Sequence, residues 1–153
     1  QMLSPGINPA YGCEVYWYDA VKDPGFTQMK YMKALFTSLP FTEGQPDQSL
    51  LACEPGTMHD RFIANRGKDY ALVYTYTGRE ISIDLTKITG ETKNIWWYNP
   101  SDGNLVYVGN FKNGVQSFNP AGGYRSGNDK VLVAVDADKK YLKKENYNLW
   151  EKR

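Results

Sequence analysis

The sequence predicts a mainly β fold: an antiparallel β-sandwich of about seven to eight strands, preceded by a strand–helix fragment. Three observations carry that expectation. From residue 61 onward, apolar residues recur with a period of two in seven short segments. Turn signals built from Gly, Asn and Pro separate those segments. Ahead of them, the stretch from Pro24 to Leu39 keeps a helical period instead.

Residues 1–12 hold Pro5, Gly6, Pro9 and Gly12, too much punctuation for a helix. Cys13–Tyr18 (CEVYWY) then reads as a strand. Alternation puts Cys13, Val15 and Trp17 on one face and Glu14, Tyr16 and Tyr18 on the other. Both faces are largely apolar or aromatic, as in a strand buried on two sides. Asp23 suits an N-cap, and Pro24 suits the first helical position, where its missing N–H costs nothing. Phe26, Met29, Met32, Phe36 and Leu39 follow near the helical period, with Leu35 beside them. Gln28, Lys30, Lys33 and Thr37 face away, and Pro40 stops the helix. One βα unit cannot bury its own faces and calls for a larger sheet.

The chain divides into a βα fragment at 1–45, a connector at 46–60, a sandwich at 61–138 and a basic tail at 139–153. The connector has Pro, Gly and acidic residues and only a brief apolar run at Leu50–Ala52. Strands are expected at Arg61–Asn65, Tyr70–Tyr76, Glu80–Leu85, Lys93–Tyr98, Leu105–Phe111, Gly114–Phe118 and Lys130–Val135. In the third of these, Ile81, Ile83 and Leu85 point inward while Ser82 and Asp84 point out. The tail carries 6 basic and 2 acidic residues, a net +4 in a chain of net +1, so it reads as a solvated end or a docking arm.

Composition narrows the function. Hydrophobic residues make up 41% and charged residues 23%, which excludes intrinsic disorder. No run approaches the ~18 consecutive apolar residues of a membrane span. A net charge of +1 argues against nucleic-acid binding driven by bulk charge. Cys13, Cys53 and a single histidine, His59, do not supply a zinc ligand set, so neither metal nor cofactor is expected. Cys13 and Cys53 are either two buried thiols or one bridge. No signal-peptide pattern follows Gln1, and the chain reads as a piece of something longer.

Catalytic residues are not evident. Glycosidases need two carboxylates roughly 5–9.5 Å apart. Glu14, Asp19, Glu54 and Asp60 lie in no motif that makes them converge. His59 has no serine in a nucleophile elbow to serve. Gly122-Gly123 precedes a strand rather than a helix, so it is no phosphate cradle but a flexible loop.

The aromatic content is the unusual figure, at 14%. Trp96 and Tyr98 share one strand face, while Ile95 and Trp97 share the other. Tyr70, Leu72, Tyr74 and Tyr76 likewise line one face of their strand. The face that a sandwich should leave polar is therefore aromatic. Packing against a neighbouring domain accounts for that, and a sugar-stacking platform is the rival account.

Taken together, AYGCEVYW (Ala10–Trp17), PGFTQMKYMKALFTSLPF (Pro24–Phe41) and PDQSLL (Pro46–Leu51) resemble the end of the catalytic domain in apiosidase-like bacterial glycoside hydrolases. YALVYTYTGREISIDLTKITG, IWWYNPSDG, GNF, FNP and KVLVAVD resemble the sandwich that follows it, a domain labelled "putative collagen-binding domain of a collagenase". The resemblance runs from about Tyr11 to Asp136 and is most specific at Trp97-Tyr98-Asn99-Pro100-Ser101-Asp102-Gly103, where a turn requires Pro and Gly. It implies that Cys13–Tyr18 and Pro24–Leu39 are the last strand and helix of a (β/α)8 barrel whose catalytic acids lie upstream. It also implies a secreted or cell-surface location. Trp17 would stand at the C-terminal end of a barrel strand, where sugar sites form. After Trp17, relatives tend to have a polar amide where this chain has Tyr18.

The resulting expectation is a non-catalytic ancillary domain whose aromatic outer face docks on the barrel and which self-associates when isolated. The alternatives are a polysaccharide- or collagen-binding module using Trp96, Trp97, Tyr98 or Tyr107, and a residual enzyme using Glu14.

Overall fold

The computed structural model describes residues 24–143 and 147–149. The expected strand Cys13–Tyr18, the cap Asp23 and the candidate residues Glu14 and Trp17 lie outside the described residues. Among the described residues, one α-helix, α1 (Pro24–Thr37), precedes nine strands: β1 (Gln45–Pro46), β2 (Ile63–Arg66), β3 (Tyr70–Thr75), β4 (Ile81–Asp84), β5 (Thr92–Tyr98), β6 (Asn104–Lys112), β7 (Val115–Phe118), β8 (Lys130–Asp136) and β9 (Tyr147–Asn148). All seven strands expected from the sequence form, their ends shifted by no more than two residues.

The strands make an antiparallel seven-stranded sheet in the order β1-β2-β3-β8-β5-β6-β9 and a two-stranded sheet, β4-β7. Between the two sheets lies a core of Ala71, Val73, Ile81, Ile83, Leu85, Ile95, Trp97, Phe118, Leu132 and Ala134. Alternation along β4 supplies its inward Ile81 and Ile83, with Ser82 and Asp84 at the surface. This is the expected sandwich.

The other face of the large sheet carries a second core. Tyr70 and Leu72 of β3, Trp96 and Tyr98 of β5, and Val131, Val133 and Val135 of β8 meet Ala34, Leu35 and Leu39 from α1 and the stretch after it. Leu142 and Leu149 complete it. The large sheet is thus a middle layer, which explains why YALVYT and KVLVAV read as near-continuous apolar runs rather than clean alternations. The chain fills its aromatic outer face with its own helix, so that face is not open within this chain.

Segments flanking the sandwich are also built in. Gln45 at the end of the βα fragment and Pro46 at the start of the connector pair with β2, and Leu50 is fully buried between the sheets. In the basic tail, β9 pairs with β6, and Leu142 and Leu149 are buried.

One inward position carries a charge. Lys93 of β5 is fully buried at the end of the inner core. Its ammonium donates to the Gly90 carbonyl at 2.7 Å and to Asn113 Oδ1. Burial pulls its pKa down, against the opposing pull of Asp136. No pattern in the sequence marks this lysine, since it sits at an ordinary strand end.

Candidate functional site

The outer sheet face is where the candidate residues meet. Asn99–Gly103 closes β5 onto β6: Gly103 N–H donates to Asn99 O at 2.8 Å, and Asn99 Oδ1 and Asp102 Oδ1 accept from Ser101 N and Asn104 N. Gly103 has φ +74°, a conformation that disfavours a side chain. This turn sets the register in which Trp97 faces Val106 and Tyr98 faces Leu105. A bulge then leaves Val108 unpaired, so that Trp96 stands beside Tyr107. Their rings meet edge to face, 5.5 Å between centres.

None of the strand aromatics forms an open platform. Trp96 is 1% exposed and Tyr98 fully buried, both under α1 and the C-terminal segment; Trp97 is 9% exposed and faces the inner core. Tyr107 is half-buried, its hydroxyl donating to Asn94 Oδ1 at 3.2 Å. A sugar ring needs an accessible aromatic face, and these rings spend theirs on the core.

Their polar tips point outward to the flanking segments. Tyr98 donates its hydroxyl to the Tyr31 carbonyl of α1 at 2.8 Å. Trp96 donates its indole N–H to the Lys143 carbonyl at 2.8 Å, and Tyr70 reaches the Phe41 carbonyl at 3.4 Å. Gly44 allows the last contact, since a Cβ there would lie 2.2 Å from the Tyr70 hydroxyl oxygen. On the far side, Asp69 accepts from Tyr141 at 2.9 Å and pairs with Lys139 at 3.4 Å. Three sheet aromatics therefore clamp three stretches of backbone that lie outside the two-sheet sandwich.

A cleft of about 280 Å³ runs along the edge of this clamp, lined by Gly25, Met29 and Met32 of α1, Tyr74, and Pro100 and Ser101 of the turn. Tyr74 donates its hydroxyl to Asp129 Oδ1 there. Among the described residues, no group of three or more His, Cys, Asp or Glu is placed to hold a metal ion. His59 packs its ring on Tyr76, 5.3 Å between centres. Half-buried Cys53 lies against the Ser82 backbone, its sulfur accepting from Ser82 N at 3.4 Å.

Burial raises the hydroxyl pKa values of Tyr70, to about 12, and of Tyr74 and Tyr98 further. The folded state therefore keeps these protons above pH 10, where the unfolded chain releases them. Their contribution is complete below pH 10 and is lost as pH rises from there toward the folded values. Lys93 acts with the opposite sign, because burial of its charge is relieved as pH climbs, but it is one group against three. A fall in thermal stability above pH 10, with the last share of the tyrosinate absorbance appearing only together with unfolding, is the expected result. Complete tyrosine ionisation before any unfolding would contradict it.

The fold and this clamp define a class: a β-sandwich domain with a helix held on its outer sheet. The chain belongs to the family described as "putative collagen-binding domain of a collagenase", whose pattern matches residues 45–135. That match begins at β1 and ends within β8. Two solved structures are similar over nearly the whole chain. One is a glycoside hydrolase of family 5 from Bacteroides vulgatus ATCC 8482, with 50% identity, a TM-score of 0.80 and 90% of this chain matched to 32% of that one. The other, described as a glycoside hydrolase, has 52% identity, a TM-score of 0.80 and 91% of this chain matched to 31% of that one. This chain thus spans about a third of the length of these solved chains. No curated protein matches it.

Proposed function

We propose that this chain is the non-catalytic, C-terminal ancillary part of a secreted or cell-surface, glycan-degrading glycoside hydrolase. Its sandwich packs against a catalytic (β/α)8 barrel, with α1 as the shared element. The supporting observation is the clamp: Trp96, Tyr98 and Tyr70 each donate to a backbone carbonyl outside the two sheets. The Tyr98 bond holds α1 itself and the Tyr70 bond holds the stretch just after it, which fixes the angle at which α1 leaves the sandwich and so the placement of whatever precedes it. A flexible tether would need none of them, since domain contacts within a chain commonly bury only about 600–1,500 Å². The glycoside hydrolase relatives, three times as long, are consistent with a catalytic part elsewhere in the polypeptide.

The coding sequence directly upstream of Gln1 provides the test. An open frame encoding seven βα units is expected. The barrel region, produced as a separate polypeptide, should bind this chain in sedimentation velocity and melt at a higher temperature when bound. A start codon adjoining Gln1, or a barrel region whose melting and sedimentation ignore this chain, would remove the reading.

A further inference from the structure

Tyr124 is displayed rather than buried, at the loop end of the sandwich. The loop joining β7 to β8 holds Gly122, Gly123 and Gly127 at φ +99°, +67° and +74°. In the sequence Gly122-Gly123 reads as a flexible loop, yet the loop is pinned. Asn128, 3% exposed, donates from Nδ2 to the carbonyls of Ala121 at 3.1 Å and Gly123 at 2.8 Å. Arg125 N–H donates to Thr77 O at 2.9 Å. Gly78, in the neighbouring loop, closes on the same amide: a Cβ there would lie 2.2 Å from Asn128 Nδ2. Within this frame Tyr124 stands 66% exposed, its hydroxyl donating to Asp60 Oδ2 at 3.0 Å.

Three left-handed glycines and a buried asparagine cost conformational entropy and desolvation. Neither hydrophobic core uses the result. What the arrangement achieves is an immobilised aromatic ring with its hydroxyl already engaged, so that the ring, not the hydroxyl, remains for recognition. Its surroundings are polar: Asp60 holds its hydroxyl, Arg125 follows it in the chain, and Arg79, stacked 4.1 Å from the Phe62 ring centre, stands near enough for its charge to act on it. A protein partner would favour a continuous apolar patch at the centre of its contact. A single rigid ring bordered by charged donors and acceptors suits a sugar, whose C–H face stacks while its hydroxyls hydrogen-bond.

We propose that Tyr124 is the stacking platform of a carbohydrate subsite, taking one sugar ring of a polysaccharide against its exposed face with Arg125 beside it in the chain. The ligand class rests in part on the glycan-degrading reading above. A weak site of this kind would hold substrate near a catalytic domain by raising its local concentration.

Electrophoresis of the whole chain through gels containing arabinan, xylan, mixed-linkage β-glucan, rhamnogalacturonan or dextran tests the site, alongside titration with a triple-helical collagen peptide. At least one polysaccharide should retard the chain. Tyr124→Ala should weaken that retardation roughly tenfold, the loss of one ring's contact. Tyr124→Phe should retain it, and Tyr124→Gln serves as a second ring deletion should the alanine variant melt early. No retardation in any of the five gels, equal retardation of wild type and ring-deletion variants, or a Tyr124 dependence confined to the collagen peptide would overturn the proposal. Tyr124-dependent retardation without an upstream barrel frame would keep the subsite and remove the ancillary reading; a barrel frame without such retardation would do the reverse.

Discussion

Replacing Trp96 with alanine is expected to cost about 3–5 kcal/mol of stability, the range for truncating a large buried aromatic. The ring is 1% exposed, wedged edge-on against Tyr107 beneath the C-terminal segment. Its loss removes that contact, leaves a cavity the surrounding strands cannot fully close, and strips the Lys143 carbonyl of its donor. For a chain of this size the melting temperature should fall by about 10 °C. Trp97→Ala makes an informative comparison, because the neighbouring ring faces the opposite core. Both variants should melt early, but only Trp96→Ala should speed amide exchange in the stretch around Leu142 while the inner sheet stays protected. A Trp96→Ala protein melting within about 1 °C of wild type would show that the outer core contributes little.

Leu35→Asp should release α1 from the sheet. Leu35 is 2% exposed and packs into the outer core. A carboxylate at that position would sit in a cluster of apolar side chains, and burying it unpaired costs several kcal/mol. Undocking the helix avoids that cost, which leaves Tyr70, Leu72 and Trp96 open to water. The expected outcome is rapid amide exchange and proteolysis within α1, concentration-dependent self-association in sedimentation, and retained protection at Ile83, Ile95 and Ala134 of the inner core. Lys33→Asp, on the exposed side of the same helix, should change stability by no more than about 0.5 kcal/mol. Equal effects from the two substitutions, or an α1 that stays protected in Leu35→Asp, would contradict the layered arrangement. Self-association should therefore be stronger in this uncovered form than in the intact chain, where α1 covers the face.

The strand pattern was readable because it is local. Ile81, Ile83 and Leu85 alternate with Ser82 and Asp84, and a half-buried strand can satisfy that alternation in one way only. The turn at Asn99–Gly103 was readable for a similar reason, since Pro100 and Gly103 each restrict the backbone at a fixed offset. The aromatic excess was also visible, and so was its concentration on the outer strand faces. Its disposition was not. Trp96, Trp97 and Tyr98 would read identically with the outer face open to sugar or closed by a helix. The choice depends on whether α1 folds back, which is a contact across some 60 residues with no local signature: Tyr98 to the Tyr31 carbonyl.

The candidate carbohydrate subsite shows the same division. Gly122-Gly123 reads as a flexible loop because glycine permits many conformations, and nothing adjacent says which is taken. Asn128 selects one by bonding two carbonyls of the loop, and Asp60, 64 positions away, orients the ring it presents. By itself, the sequence determined the sandwich, its strand ends to within two residues and a helix from Pro24, expected to Leu39 and ending at Thr37, all governed by periodicity and backbone restriction over a few residues. Only the tertiary structure decided that the large sheet is a middle layer, that its tryptophans are closed to solvent and that Tyr124 is open. Those outcomes depend on which distant surfaces exclude water from one another, and that is a property of the packed chain rather than of any segment of it.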